Sequence, residues 1–308
     1  MAVAGSLREP GGEAVAVMER PLVVGVDGSE PSLLAVDWAV DEAARHGLPL
    51  RLVHASLWEI YEGAQPSFRT ERPAEEVMAE HIVASCVERA RRRDPGVKVS
   101  GKVLAEDAAS VLLRAGPEAF ALVTGSRGRG GFAGLLLGSV GLAVAARATC
   151  PVIVVRGAEP DRPQGAGRVV VGIGDRAGGA GALRFAVREA EVRGCALTAV
   201  RAWRSPAVDP VDHMLIADDG ARLRKERASA GLDDALREAA RDHPRVGIER
   251  RTAEGPTHRV LIEASAGADL VVVGAVRRHG RFGLQLGRVA HALLHHARCP
   301  VAVVPEPA

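Results

Sequence analysis

The stretch VVGVDGSEPSLLAVDWAVDEAARHGLPLRLVHA runs from Val23 to Ala55, and 147 residues later the chain reads VVGIGDRAGGAGALRFAVREAEVRGCALTAVRA from Val170. Its first residues, Leu22 to Val26, form a short apolar run that stops at Asp27-Gly28-Ser29, the signature of a buried strand followed by a turn. Pro31 suits a first helical turn and Gly47 a helix stop. The helix between them places Leu33, Val36, Val40 and Ala43 or Ala44 on one face. Leu50 to Ala55 then reads as a second strand, so the unit is strand, helix, strand.

A second echo lies farther on. LVTGSRGRGGFAGLLLGSVGLAVAARATCPVIVV from Leu122 returns as VVVGAVRRHGRFGLQLGRVAHALLHHARCPVAVV from Val271, 149 residues later. Two copies of one domain account for both echoes. Residues 1–20 read as a flexible tail, 21–156 as the first domain and 168–308 as the second. The Gly- and Pro-rich segment 157–167 between them has little to bury and reads as a linker. Within the first copy the remaining expected elements are a helix over 74–93, a strand over 97–105, a helix over 108–115, a strand over 119–124, a helix over 139–148 and a strand over 151–155. Such alternation is the pattern of a doubly wound α/β sheet with helices on both faces. Ligands of such sheets bind beyond the carboxyl ends of the strands, where the winding reverses. Functional residues are therefore expected after strands one and four.

Composition narrows the function classes. The 308 residues include only nine aromatics beside 35 glycines, which implies a core of Val, Leu, Ala and Ile and many tight turns. Forty basic against 38 acidic residues leave +2, too weak a field for a dedicated nucleic-acid binder. No apolar run reaches ~18 residues, so no membrane span is expected, and the charged N-terminus lacks the apolar core of a secretory signal. Cys86, Cys150, Cys195 and Cys299 are widely spaced without a CxxC, which reads as buried free thiols in a reducing cytoplasm.

The chemistry-bearing motif follows strand four. Gly125-Ser126-Arg127-Gly128 precedes nine residues and then Gly138-Ser139, which opens a helix. Glycines there let the backbone take positive φ and approach an anion with no Cβ in the way. The following helix adds free N–H groups and the positive end of its dipole. Ser139 is placed to cap that helix or to donate to a phosphate oxygen, while Arg127 and Arg129 can offset negative charge. No GxxxxGK[ST] occurs. Gly128 to Ala133 matches GxGxxA, but it follows the fourth strand of its unit, and no acidic residue lies about 20 positions beyond it.

The G-x-x-G, nine residues, G-[ST] spacing, the VxVDxS-like first strand and the closing CPVxVV together resemble the universal stress protein family, over nearly the whole chain and in tandem. The resemblance implies five-stranded parallel sheets of order 3-2-1-4-5 and ATP, with Mg²⁺, at the carboxyl edge wherever the glycine motif is complete. It implies that Gly25 and Asp27 sit at the nucleoside end, that Ala55 meets adenine through its backbone, and that Gly125, Ser126, Arg127, Gly128, Gly138 and Ser139 hold the phosphates with Val140 beside them. For Asp27 the competing reading is a turn-forming side chain before Gly28. It also implies that the apolar fifth strands pair, here within one chain; a homodimer stays open.

The second copy departs from the motif. Arg277 stands where the second glycine belongs, Arg288 replaces the serine, and Gly174 aligns with Asp27 while Asp175 follows one residue later. One nucleotide site per chain, in the first copy, is expected; the opposing thought is that Arg277, Arg278, Arg281 and Arg288 hold phosphate by their side chains. No metal site is assigned to His291, His295 and His296, which read as surface or dipole-complementing residues. His54 reads as a packing residue, Met214 as the lead-in to an amphipathic helix, and Arg89 to Arg93 as a solvated helix end. No nucleophile has an evident base, so no catalytic residue is assigned. The expected function is a cytoplasmic, nucleotide-dependent regulator of the stress response with at most slow ATP turnover. The alternatives are a ligand-free interaction module and an ATP-consuming enzyme, whose expected SGGxDS and HIGH motifs are missing.

Overall fold

The computed structural model describes residues 20–56, 74–128, 137–156, 167–174, 179–204, 217–276 and 286–306. The tail up to residue 19, linker residues 157–166, Arg129, Asp175, Met214, Arg277, Arg278 and Arg281 lie outside the described residues. The first repeat runs β1 (Leu22–Gly25), α1 (Glu30–His46), β2 (Leu50–Ala55), α2 (Ala74–Arg93), β3 (Val99–Leu104), α3 (Ala108–Ala115), β4 (Ala121–Gly125), α4 (Ser139–Arg147) and β5 (Val152–Val155). The second runs β6 (Arg168–Gly172), α5 (Ala180–Arg193), β7 (Ala196–Trp203), α6 (Ala217–Asp242), β8 (Ile248–Glu254), α7 (Thr257–Ser265), β9 (Leu270–Val276), α8 (Arg288–His296) and β10 (Val301–Glu306).

All these strands join in one ten-stranded sheet of order β3-β2-β1-β4-β5-β10-β9-β6-β7-β8. Each repeat contributes a parallel half with the expected 3-2-1-4-5 order, and the halves meet where β5 pairs antiparallel with β10, Val154 opposite Val301 and Val152 opposite Val303. Alternating side chains of each strand feed two apolar layers, one on each face. Val24, Val123 and Val272 enter one; Val23, Leu122 and Val271 enter the other. Period-two alternation between two buried faces explains why the strands read as unbroken apolar runs.

The helix ends follow their local chemistry. Ser29 caps α1 by accepting from the Ser32 N–H at 3.4 Å, Pro31 occupies its first turn, and Gly47 closes it in the left-handed conformation at φ 65°. Asp107 caps α3 through the Ser110 N–H at 3.0 Å. On α1 the buried face includes Val36, Val40 and Ala43 as expected, but Leu33 is only half-buried and Glu42 is buried.

One finding corrects the reading of the charged positions, and another adds to it. Arg89 and Arg93 are not simply solvated: each forms a two-pronged bond back to α1, Arg89 to Asp37 at 2.6 Å and Arg93 to Asp41 at 2.6 and 2.7 Å. At the equivalent places the second repeat carries the opposite charges, Arg184 and Arg188 on α5 and Glu238 and Asp242 on α6. No ion pair joins these four among the described residues. Instead Arg188 lies over the Phe120 ring, 5.1 Å from its centroid. The other finding is Glu306, a buried carboxylate near the end of β10. It accepts from the backbone N–H groups of Gly181 at 3.1 Å and Ala182 at 2.7 Å, capping α5, whose N-cap residue Gly179 has no side chain to do so.

Glu306→Ala leaves those two buried donors without a partner. The unfolding free energy is expected to fall by about 1–3 kcal/mol, seen as a lower urea midpoint at constant slope. An unchanged midpoint would show that the cap contributes nothing.

Candidate functional site

Beyond the carboxyl ends of β1 and β4, where the winding reverses, a cavity of about 560 Å³ opens between the sheet and the helices α3 and α4. That volume falls in the range of small-molecule sites. Nine of the ten residues singled out by sequence line it: Gly25, Asp27, Ala55, Gly125, Arg127, Gly128, Gly138, Ser139 and Val140. Val53, Val111, Leu112 and Leu137 supply apolar wall. The tenth, Ser126, is buried behind the loop, and its carbonyl accepts the Gly138 N–H at 2.8 Å. Ser126 thus ties the two ends of the glycine motif together instead of facing the cavity.

The glycines act through close approach, which corrects the expectation of positive φ. None of Gly25, Gly125, Gly128 and Gly138 adopts it; Gly28, in the turn at the cavity mouth, does at φ 76°. A Cβ at Gly125 would stand 2.6 Å from the backbone carbonyl of Pro31, so the first turn of α1 can seat against β4 only with glycine there. A Cβ at Gly128 would stand 2.5 Å from Oδ2 of Asp27. The Asp27 side chain is held where it is: its Oδ1 accepts from the Ser29 N–H at 2.9 Å and the Ser29 hydroxyl at 2.5 Å. Asp27 therefore shapes the turn, and it also lines the cavity.

Ser139 is not the helix cap. Gly138 occupies the N-cap position in an extended conformation, and no side chain caps the helix. Ser139 is the first helical residue and is exposed, with its hydroxyl outside the capping role. The first amides of α4 therefore border the cavity with no intrahelical acceptor. Arg127 is exposed at the rim. His54 lines the wall, but its Nδ1 is 2.7 Å from the Val26 carbonyl, the packing contact expected of it. Thr124 lies in the floor with its hydroxyl buried and without a hydrogen-bond partner, a residue the motif gave no reason to name.

In the second repeat Gly174 occupies the place of Asp27, and nothing lies within 4 Å of a Cβ built there. The aspartate that forbids a side chain at Gly128 thus has no counterpart where the sequence carries Arg277. A different cavity, of about 440 Å³, opens between α5 and α6, with Ile173, Leu183 and Val187 inside and Arg184, Glu238 and Asp242 around it. Gly231 in α6 makes room there for Arg201, whose Nη1 would be 2.8 Å from a Cβ at that position. On α8 the His291 and His295 rings lie 4.5 Å apart. None of the four cysteines forms a disulfide, three of them are buried, and burial pushes the Cys150 thiol up to about 11. No helix among the described residues is long and apolar enough to cross a membrane.

Taken together, fold and cavity define a tandem doubly wound α/β protein whose first copy keeps an intact glycine-lined pocket at its switch point. The chain belongs to the universal stress protein family: the family's sequence model matches residues 18–156 and again 165–305. Universal stress protein Rv2005c of Mycobacterium tuberculosis is 34% identical over 289 residues, covering 92% of this chain and 96% of its own. Universal stress protein Rv2623 of the same organism is 41% identical over 139 residues, covering 45% of this chain and 46% of its own. A universal stress protein from Archaeoglobus fulgidus superposes with a TM-score of 0.64 over 93% of this chain and 98% of its own, at 16% identity, and shows the shared fold.

If the Asp27 carboxylate is what excludes a side chain at residue 128, Gly128→Ala should destabilise the protein by about 1 kcal/mol or more, and much less in an Asp27→Gly background. The coupling in a double-mutant cycle of thermal unfolding measures this; additive effects would refute it.

Proposed function

We propose that the first-repeat cavity binds an adenine nucleotide, ATP with Mg²⁺, and that its occupancy lets the protein act as a nucleotide-dependent regulator of the stress response. One observation carries the reading: the glycine motif, the end of β1 and the end of β2 converge on one cavity bordered by an uncapped helix N-terminus. In this reading the base and ribose lie by Gly25, Asp27 and Ala55, with the apolar wall of Val53, Val111 and Leu112 against the ring. The phosphates lie along Gly125 to Gly128 and the first turn of α4, where N–H groups and the helix dipole favour negative charge. Arg127 at the rim adds an exposed cation. The Ser139 hydroxyl, free of any capping bond, suits Mg²⁺, which takes oxygen ligands from protein and phosphate together. The metal would offset phosphate charge.

Turnover is expected to be slow. His54, the imidazole in the wall, is engaged with the Val26 carbonyl, and Ser126 is turned away from the cavity. The Asp27 carboxylate reaches Gly128 but is engaged by the Ser29 amide and hydroxyl, and no nucleophile paired with a base lines the cavity among the described residues. Regulation then comes from differential affinity: a nucleotide shifts the protein only toward the conformation or assembly it binds better.

Titration calorimetry of the full chain with ATP and Mg²⁺ is expected to give a stoichiometry near one, and Gly128→Glu to abolish the heat of binding. Failure to bind any adenine nucleotide at millimolar concentration would leave the interaction-module reading in its place. A stoichiometry near two would refute the single-site claim, and steady-state turnover above about 1 s⁻¹ would favour an enzyme.

A further inference from the structure

A second polar cluster lies away from the cavity, at the seam between the repeats where α1 meets α5. The repeat offset of 147 residues makes Glu42 equivalent to Glu189, and His46 equivalent to Arg193. Each helix therefore brings a carboxylate and, one turn later, a base. These groups are almost fully out of water: the side chains of Glu42, His46 and Glu189 are 1% exposed and that of Arg193 is 9% exposed.

The bonds cross the seam. His46 Nε2 lies 3.0 Å from Glu189 Oε1 of the other repeat and 3.6 Å from Glu42 Oε1 of its own. Arg193 Nη2 donates across the seam to Glu42 Oε2 at 2.6 Å and within its own helix to Glu189 Oε2 at 3.2 Å. Aromatic rings close the surroundings. Phe120 lies beside the His46 ring with centroids 4.9 Å apart, Phe185 lies 6.2 Å beyond it, and Arg193 lies over Trp38.

With every group ionised, two carboxylates meet two cations and the cluster is neutral. Removing the imidazole proton leaves two buried carboxylates against one buried guanidinium, with only Arg45, at the solvent side of Glu42, to offset the remaining charge. The neutral ring can still donate from Nε2 to Glu189, but that bond is then no longer charge-assisted. We propose that Glu42, His46, Glu189 and Arg193 form a proton-dependent clasp between the repeats, which holds α1 against α5 while His46 is charged and slackens when that proton leaves.

The shifts run in the required direction. Burial opposes the charge on His46, but hydrogen bonds and charge from Glu189 and Glu42 outweigh it and raise its pKa to about 9. Burial and the neighbouring Glu42 push Glu189 up. For Glu42 burial acts upward, and the bonds with Glu189 and His46 together with the Arg193 charge bring it down. Arg45, on α1, reaches Glu42 Oε2 at 3.2 Å from the solvent side; Arg188, on α5, sits over Phe120; and the Cys195 thiol beyond α5 is pushed up by burial. A histidine raised above its ordinary value of 6.5 contributes stability that is complete below 6.5 and disappears as pH climbs through about 9. Glu189, raised to about 7, contributes in the same sense but between 4.5 and about 7, so the fall in stability above pH 7 is that of His46.

The test uses the full chain from pH 6 to 9.5. His46→Arg installs the permanently charged base that the second repeat already carries at the equivalent position. Wild-type thermal midpoints are expected to fall across this range more steeply than those of His46→Arg. In the wild type alone, the His46 ring is expected to titrate by NMR near pH 9. Amide exchange across the β5–β10 pair is expected to gain on the order of tenfold over the intrinsic pH dependence as the clasp opens. Equal slopes in the two proteins, or a His46 titration at or below pH 7, would overturn the proposal. Stabilisation by added zinc that disappears in His46→Arg would overturn it in favour of a metal held by the same residues.

Discussion

Four apolar residues at the end of each repeat, Val152 to Val155 and Val301 to Val304, make a bare sheet edge that a protein must cover. Their antiparallel pairing satisfies both rows of backbone groups and turns two half-sheets into one. Much else depends on that junction. It makes the apolar layer on each face continuous across the repeats, and it brings α1 and α5 together at the seam. Because the pair is antiparallel, the carboxyl edges of the two halves point in opposite directions. The first-repeat cavity therefore lies at the margin of the sheet opposite the carboxyl edge of the second repeat.

Within each half, the carboxyl edge is shaped by which side chains are left out. Gly125 admits the first turn of α1, Gly25 admits Leu112 of α3, and Gly128 admits the carboxylate of Asp27. The glycines and the groups that approach them form matched pairs. In the second repeat both members of the last pair have changed together, with glycine for the aspartate and arginine for the glycine. An open pocket in one copy and a substituted loop in the other are thus two outcomes of one steric relation, carried on the same backbone frame.

Much of this was legible in sequence because it is local or periodic. The strands read as apolar runs because both of their faces are buried; the helix limits show in Ser29, Pro31, Gly47 and Asp107; and the glycine motif has fixed spacing. What escaped depends on contacts between distant segments. Glu42 looks like an ordinary helical glutamate until the other repeat supplies Arg193 and a roof of aromatic rings. Arg89 and Arg93 look solvated until α2 docks and Asp37 and Asp41 come within reach. Glu306 lies 124 residues from the amide it bonds most closely. At Gly138 and Ser139 the difference is a single position, within the uncertainty of any helix boundary read from sequence, yet it moves the serine from cap to first helical residue and frees its hydroxyl.

The ion pairs between α1 and α2 carry a consequence for how a duplicated chain assembles. In the first repeat α1 presents Asp37 and Asp41 to Arg89 and Arg93 of α2, and in the second repeat the signs are reversed. Were α6 to dock on α1 in place of α2, Glu238 and Asp242 would face two aspartates. Were α2 to dock on α5, its arginines would face Arg184 and Arg188. Like charges opposed across a helix pair discourage the wrong partner, and swapped or misassembled neighbours are the characteristic failure of repeat proteins. The inverted polarity thus leaves each copy's first helix mismatched in charge to the other copy's second helix.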